Sequence, residues 1–351
     1  MSYGISRTIF GKLCCGLRRS ATSLGLFQCV VSFAVMLLVS ACGTDPSAVQ
    51  SFSQLAPDQN KLDTLTQAYA DVPGKLIQLD VLHRLTPASL NSLFADEQTR
   101  KEQIKAIDGI HSVVVDYMKA LGALANDTLV QTSTDTATLK KGVTALQIAE
   151  PRLGITSDQV MVIGNVSRFL ANAATSAYRQ KNLADAIARN QAPFQKLIAT
   201  ENQIILRGVL PDLKNLLNRT NALNEVVNGL VVEGNQQISE ADGRAKTRAK
   251  HHTKVPQSEE IDVSLRGSGA ADVASLLLLR RMIQSDTTTI NYEIRAAKDY
   301  VKALTNIAKV HTALYDAREN VLSKDGAKAF IKQEGGLLNE AYTALQSLNK
   351  I

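Results

Sequence analysis

Beyond position 57 apolar residues recur along most of the chain at intervals of three and four, the spacing that lines one face of an α-helix. In the run that begins at Asp96, Ile104, Ile107, His111, Val114, Met118, Leu121 and Ala125 share such a face. Ser133 to Asp135 offers N-cap residues for a segment that ends before Pro151. Ser157 and Asp158 start another, which carries Val160, Val162, Val166, Phe169, Leu170, Ala173 and Tyr178. A fourth stretch, from Leu183 to about Asn235, contains Pro193 and Pro211. Each proline lacks a backbone donor and clashes with the preceding turn, which predicts a kink or break at both. The most regular pattern runs from Leu276, Leu279 and Ile283 through Ile290, Ile294, Ala297, Val301, Leu304, Ala308 and His311 to Tyr315, interrupted only at Asp286 and Thr287. At ~1.5 Å per residue this predicts a helix roughly 60 Å long. Gly326 follows its end, and a last helix from Ala327 to about Asn349 folds back, loosened at Gly335 and Gly336.

Two stretches lack this pattern. Residues 43–56 are small and polar and read as a tether. Residues 237–269 hold Pro256, Gly267, Gly269, a group of Lys and Arg between 244 and 254, and acidic residues at 259, 260 and 262, and read as a charged flexible loop. Asp116 to Leu121 parallels Asp299 to Leu304, which suggests a duplicated helical element. Strand signals are confined to short β-branched clusters inside helical periodicity. The predicted fold is therefore all-α: an elongated antiparallel helical bundle with long, coiled-coil-like helices. Its helical region spans 57–236, and the long helix and C-terminal helix of 270–351 pack back on it.

Composition adds an address. The chain of 351 residues has a formal charge of +6, which taken alone invites nucleic-acid binding. Residues 1–42 hold four Lys or Arg and no acid, leaving 35 basic against 33 acidic residues, or +2, for the remainder. A cationic start ending at Arg19 and an apolar run from Leu24 to Val39 have the layout of an export signal. Leu38-Val39-Ser40-Ala41-Cys42 at the end of that run resembles the lipobox of bacterial lipoproteins, a resemblance confined to the first 45 or so residues. It implies a signal peptide at 1–41, cleavage between Ala41 and Cys42, acylation of Cys42 by palmitate-type chains, and a lipidated tether at 42–56. Gly43 and Thr44 follow the cysteine and the first acid comes only at Asp45, so the resemblance implies the periplasmic face of the outer membrane, with the inner membrane as the alternative. An uncleaved transmembrane anchor is the competing reading, since about 20 apolar residues span a bilayer.

Candidate chemistry is sparse. The four cysteines are at 14, 15, 29 and 42, so the chain beyond Cys42 contains no thiol for a disulfide, zinc or redox site. Phosphate-loop, GxSxG, HExxH and EF-hand patterns do not occur. His111 and His311 lie in apolar seams and read as core histidines, because a metal site would need further ligands on facing helices. His83 precedes a break at Pro87, and His251 and His252 lie among lysines and arginines that repel a cation. Neither a metal nor a cofactor beyond the lipid on Cys42 is expected. Arg244, Lys246, Arg248, Lys250 and Lys254 form the one charge concentration that suggests contact with an anionic partner. Without aromatics for stacking, this segment does not suggest nucleic acid.

These features predict an outer-membrane-anchored, non-enzymatic helical protein that interacts with an envelope protein or another envelope component. The alternative is a membrane-active helical protein, pore-forming or envelope-remodelling, in which Ala271 to Ile283 inserts into lipid.

Overall fold

A computed structural model describes residues 44–80, 85–132, 135–174, 182–251 and 262–348. The chain divides into two units, Met1–Gly43 and Thr44–Ile351, and the described residues all belong to the second. They form α1 (Ser47–Ser53), α2 (Gln59–Gln78), α3 (Pro87–Ala125), α4 (Thr136–Ala149), α5 (Ser157–Ala173), α6 (Leu183–Ile204), α7 (Leu210–His251), α8 (Asp262–Ala317) and α9 (Lys324–Leu348). A 3-10 turn covers Pro151–Leu153, a π turn covers Ile205–Val209, and no strand occurs among the described residues. The protein is all-α, and its helices pack in a bundle.

Helix starts follow local chemistry. Asp58 and Asp135 each accept from the backbone N–H two residues on, and Thr156 and Gln159 close a reciprocal capping box at the head of α5. α3 starts at Pro87, earlier than Asp96. The Thr86 side chain caps the N–H of Ser89, and Pro87 fills the first position, where a missing donor is harmless. The predicted face of α3 is the buried one: Ile107, His111, Val114, Met118, Leu121 and Ala125 are all buried.

The two prolines behave differently. Of the kink or break expected at Pro193, a break does not occur: α6 continues through it. At Pro211 the helix is perturbed as expected, but by widening: the π turn immediately precedes the proline, where one extra residue re-spaces the carbonyls that the proline cannot bond.

The charged segment 237–269 is not one long loop. α7 continues to His251 and α8 begins at Asp262, while 252–261 lie outside the described residues. Ala, Arg and Lys dominate 241–250, and these are strong helix formers. Helix propensity without an apolar face gives a solvent-facing helix, which a periodicity criterion misses. α8 is consequently 56 residues long, about 84 Å at 1.5 Å per residue, and continues through Asp286 and Thr287. Gly326 lies inside the first turn of α9, where a Cβ would sit 2.0 Å from the carbonyl oxygen of Asn320. α9 also continues through Gly335 and Gly336.

The tether is also corrected. Residues 47–53 form α1, and Ala48, Val49 and Phe52 are fully buried in the main core, with Leu55 nearly so. The backbone N–H of Asp45 donates to the carbonyl of Leu322 at 2.8 Å, just beyond the C-terminal end of α8. Four apolar side chains among small polar ones are too few to register as a pattern, yet they suffice to fill a gap between α3, α8 and α9. Phe52→Ala should lower stability by about 3–5 kcal/mol, read as an earlier urea midpoint at an unchanged slope. A free tether would leave the midpoint where it is.

Candidate functional site

Three helices meet at the centre of the bundle, with α6 antiparallel to α3 and α8. Because seams at helical spacing face one another there, polar residues that fall in register are carried into the core. At one level His111 of α3, Glu201 of α6 and Tyr300 of α8 meet with no solvent exposure on His111 or Glu201 and essentially none on Tyr300. Nδ1 of His111 lies 2.8 Å from Oε1 of Glu201 and 2.7 Å from the Tyr300 hydroxyl. That hydroxyl donates to the same Oε1. Burial first, and then the Glu201 charge, push the Tyr300 phenol well above its ordinary range, so it remains a donor. The His111 tautomer sets whether Nδ1 donates or accepts within this group.

Six residues further along α3, Tyr117 meets His311 of α8, their polar atoms 2.8 Å apart. Phe194 of α6 stacks on Tyr117 with ring centroids 4.5 Å apart, and Phe52 closes the group with its centroid 5.6 Å from that of His311. Burial drives the His311 imidazole down to about 3, so the ring is neutral. Tyr117 and Tyr300 occupy equivalent positions in the two six-residue similarities. In both segments the Tyr, Ala and Leu are buried and the Lys is exposed, so the shared letters mark a shared helix face.

Asp108, one turn before His111, is half-buried beside a groove of about 710 Å³ between α3 and α4. Desolvation, and then the nearby Asp63 charge, raise its carboxyl to about 6, against smaller opposing effects of His111 and a Thr66 hydrogen bond. Nε2 of His111, Oε2 of Glu201 and Nδ1 of His311 have no hydrogen-bond partner among the described residues. No group of three His, Cys, Asp or Glu side chains suited to a metal ion occurs among the described residues.

A second polar cluster fixes the π turn. Asp212, at the start of α7, receives Nη1 of Arg100 and Nη1 of Arg152, each at 2.7 Å. The Arg100 guanidinium also lies 4.6 Å from the centre of the Tyr69 ring. Burial raises the Tyr69 phenol to about 12 despite the Arg100 charge. Gln203 donates to the carbonyl of Leu153, and Gly154 has a φ of +66°, which only glycine adopts readily. The 3-10 turn is thereby held against the π turn, a structural role that accounts for this concentration of charge.

The other expected site residues are dispersed. Ala41 and Cys42 lie outside the described residues, as do His83, His252 and Lys254. Arg244, Lys246, Arg248 and Lys250 belong to the last turns of α7, and Arg244 and Lys246 are exposed. Glu201 was legible in principle: it follows Phe194, Leu197 and Ile198 in the same helical register, an acid on an apolar face. No protein family, curated protein or solved structure matches this chain.

The titrating groups set opposite pH trends. The unfolded state takes up the His311 proton near 6.5 while the folded state refuses it until about 3, so this stability is full above 6.5 and is lost as pH falls. Folded Asp108 holds its proton up to about 6 against 3.8 when unfolded, so its contribution is full below 3.8 and is lost as pH rises through 6. Urea unfolding between pH 4 and 7.5 should therefore show a shallower acid loss for His311→Leu, by up to about 1.4 kcal/mol per pH unit. Asp108→Asn should gain most, relative to wild type, at the alkaline end. Parallel profiles for wild type and both variants would contradict these assignments.

Proposed function

We propose that the protein is a bacterial lipoprotein, held at the periplasmic face of the outer membrane by acyl chains on Cys42, and that its helical body works by binding an envelope component rather than by catalysis. The observation that carries the anchor is the lipobox-like Leu38-Val39-Ser40-Ala41-Cys42 at the end of a cationic and then apolar segment. Several acyl chains on one residue hold a protein stably, each buried CH₂ contributing about 0.8 kcal/mol. The body's packed structure starts within a few residues of that cysteine, since Asp45 is already bonded to Leu322. Two residues of any chain reach at most about 7 Å.

The non-enzymatic reading rests on closure. His111, Glu201, Tyr300, Tyr117 and His311 are the most chemically capable group in the fold, yet each is essentially without exposure and bonded to another member. A substrate would have to displace packed aromatic rings to reach them. The pore-forming alternative is less favoured, because Leu279 and Ile283 in the segment it would release are packed in a small core with α7. No helix among the described residues is long and apolar enough to cross a membrane.

Metabolic labelling with a clickable palmitate analogue, followed by fractionation, tests the anchor. Wild type should be labelled and float with outer-membrane vesicles, whereas Cys42→Ser should be unlabelled and leave the membrane fraction. A Cys42→Ser protein that remains membrane-bound at full, unprocessed length would replace the lipid by a transmembrane anchor.

A further inference from the structure

α7 and α8 leave the body side by side as an antiparallel two-helix arm, and the apolar seam between them is broken at one level. On the body side of the break, Leu213 and Leu216 of α7 and Ile290 and Ile294 of α8 belong to the main core. On the arm side, Val227, Val231 and Ile283 are buried in a small core of their own, with Leu223, Leu276 and Leu279 packed against them. All six come from α7 and α8 alone. Helical spacing puts Thr220 between Leu216 and Leu223, and Thr287 between Ile283 and Ile290.

Register brings these two threonines to one height. A Cβ at Gly234 would lie 2.7 Å from Val273, so those positions face each other across the pair. Counting back along α7 from Gly234 to Thr220, and equally far forward along α8 from Val273, ends at Thr287. Thr220 is fully buried and Thr287 half-buried. A cavity of about 200 Å³ lies at the same level, bordered by Thr220, Leu216 and Leu223 of α7, Ile283 and Ile290 of α8 and Leu79 just past α2. A polar layer beside a void lacks the apolar contact that stiffens a helix pair above and below it.

The backbones are weakened at this level too. Thr220 Oγ1 donates to the carbonyl of Leu216 at 2.9 Å, and Thr287, Thr288 and Thr289 donate to those of Ile283, Gln284 and Ser285 at 2.9, 2.9 and 3.1 Å. Such back-bonding competes with the helix's own N–H donors and favours a bend. Thr287 to Thr289 is the one run of three hydroxyl residues inside a described helix. The third helix ends here as well. Lys75 of α2 pairs with Glu293 on the body side at 3.2 Å, and α2 stops at Gln78, beside the cavity.

We infer that the level of Thr220 and Thr287 is a hinge, about which the α7–α8 arm swings as one piece relative to the body. Apolar layers on both sides oppose sliding, so the arm changes direction while its register is kept. The core that holds His111 and Glu201 stays closed throughout, because it lies on the body side of the break.

Pulsed electron resonance on full-length protein tests the swing, with spin labels on non-canonical residues so that the cysteines stay untouched. One pair joins Val232 on the arm to Ile148 on α4, and a reference pair joins Ile148 to Tyr342 within the body, all three being exposed. The arm-to-body distribution should be broader than the reference. Thr220→Leu with Thr287→Leu, which fills the layer, should narrow it to the reference width, whereas Thr288→Leu, on the exposed side of the same turn, should leave it broad. Hydrogen exchange gives a second reading that needs no variant: amides of 284–291 should exchange faster than those of 276–283 and of 294–304. In the double variant they should slow by about tenfold or more, the effect of burying one apolar side chain. A wild-type arm-to-body distribution as narrow as the reference, one left unchanged by the double substitution, or exchange at 284–291 no faster than on both sides would overturn the inference.

Discussion

A carboxyl group withdrawn completely from water needs hydrogen-bond partners, and Oε1 of Glu201 lies within bonding distance of two side chains from two different helices. That requirement is directional, unlike the apolar contact around it. His111 on α3 and Tyr300 on α8 reach Oε1 only when both helices stand in one register against α6. A slip of one turn would leave these buried polar atoms without partners, whereas Leu, Ile and Val seams tolerate such slips at small loss. We regard the group as the register pin of the bundle, the best-attested use of buried polar residues in helical cores. The Tyr117 and His311 level, a few residues along, repeats the device with a neutral pair.

Because α8 is continuous over 56 residues, fixing its register in the core also fixes what it carries outside. Just beyond one end, the carbonyl of Leu322 accepts from the backbone N–H of Asp45. The other forms the arm with α7. The π turn before Pro211 and its Arg100, Arg152 and Asp212 clamp set the direction in which α7 leaves the body.

Helix positions and buried faces were legible because periodicity reports them directly, as at Ile107 to Ala125. The failures have separate physical origins. α1 is a single apolar turn or two among small polar residues, too short to show a period, and it is stabilised by the cleft it fills. The end of α7 has helix propensity but no buried face, so it read as a loop. Thr86-Pro87 is a start signal outside the apolar pattern. The histidines stood out by residue type, but their partners did not, because a shared hydrogen bond between His111 and Glu201 spans 90 residues of sequence. Cys42, the residue on which the proposed anchor rests, lies outside the described residues and is read from the sequence alone.

A double-mutant cycle on His111 and Glu201 tests the register pin most directly. His111→Leu, Glu201→Leu and the pair are compared by urea unfolding at neutral pH. Each single change removes the bond between His111 and Glu201 and leaves the remaining partner to Tyr300 alone, and should lower stability by about 1–3 kcal/mol, while the double variant should be more stable than the sum of the two losses implies, with a coupling of about 1–2 kcal/mol. Additivity within about 0.5 kcal/mol would mean that the two side chains do not depend on each other, and that apolar packing alone sets the register.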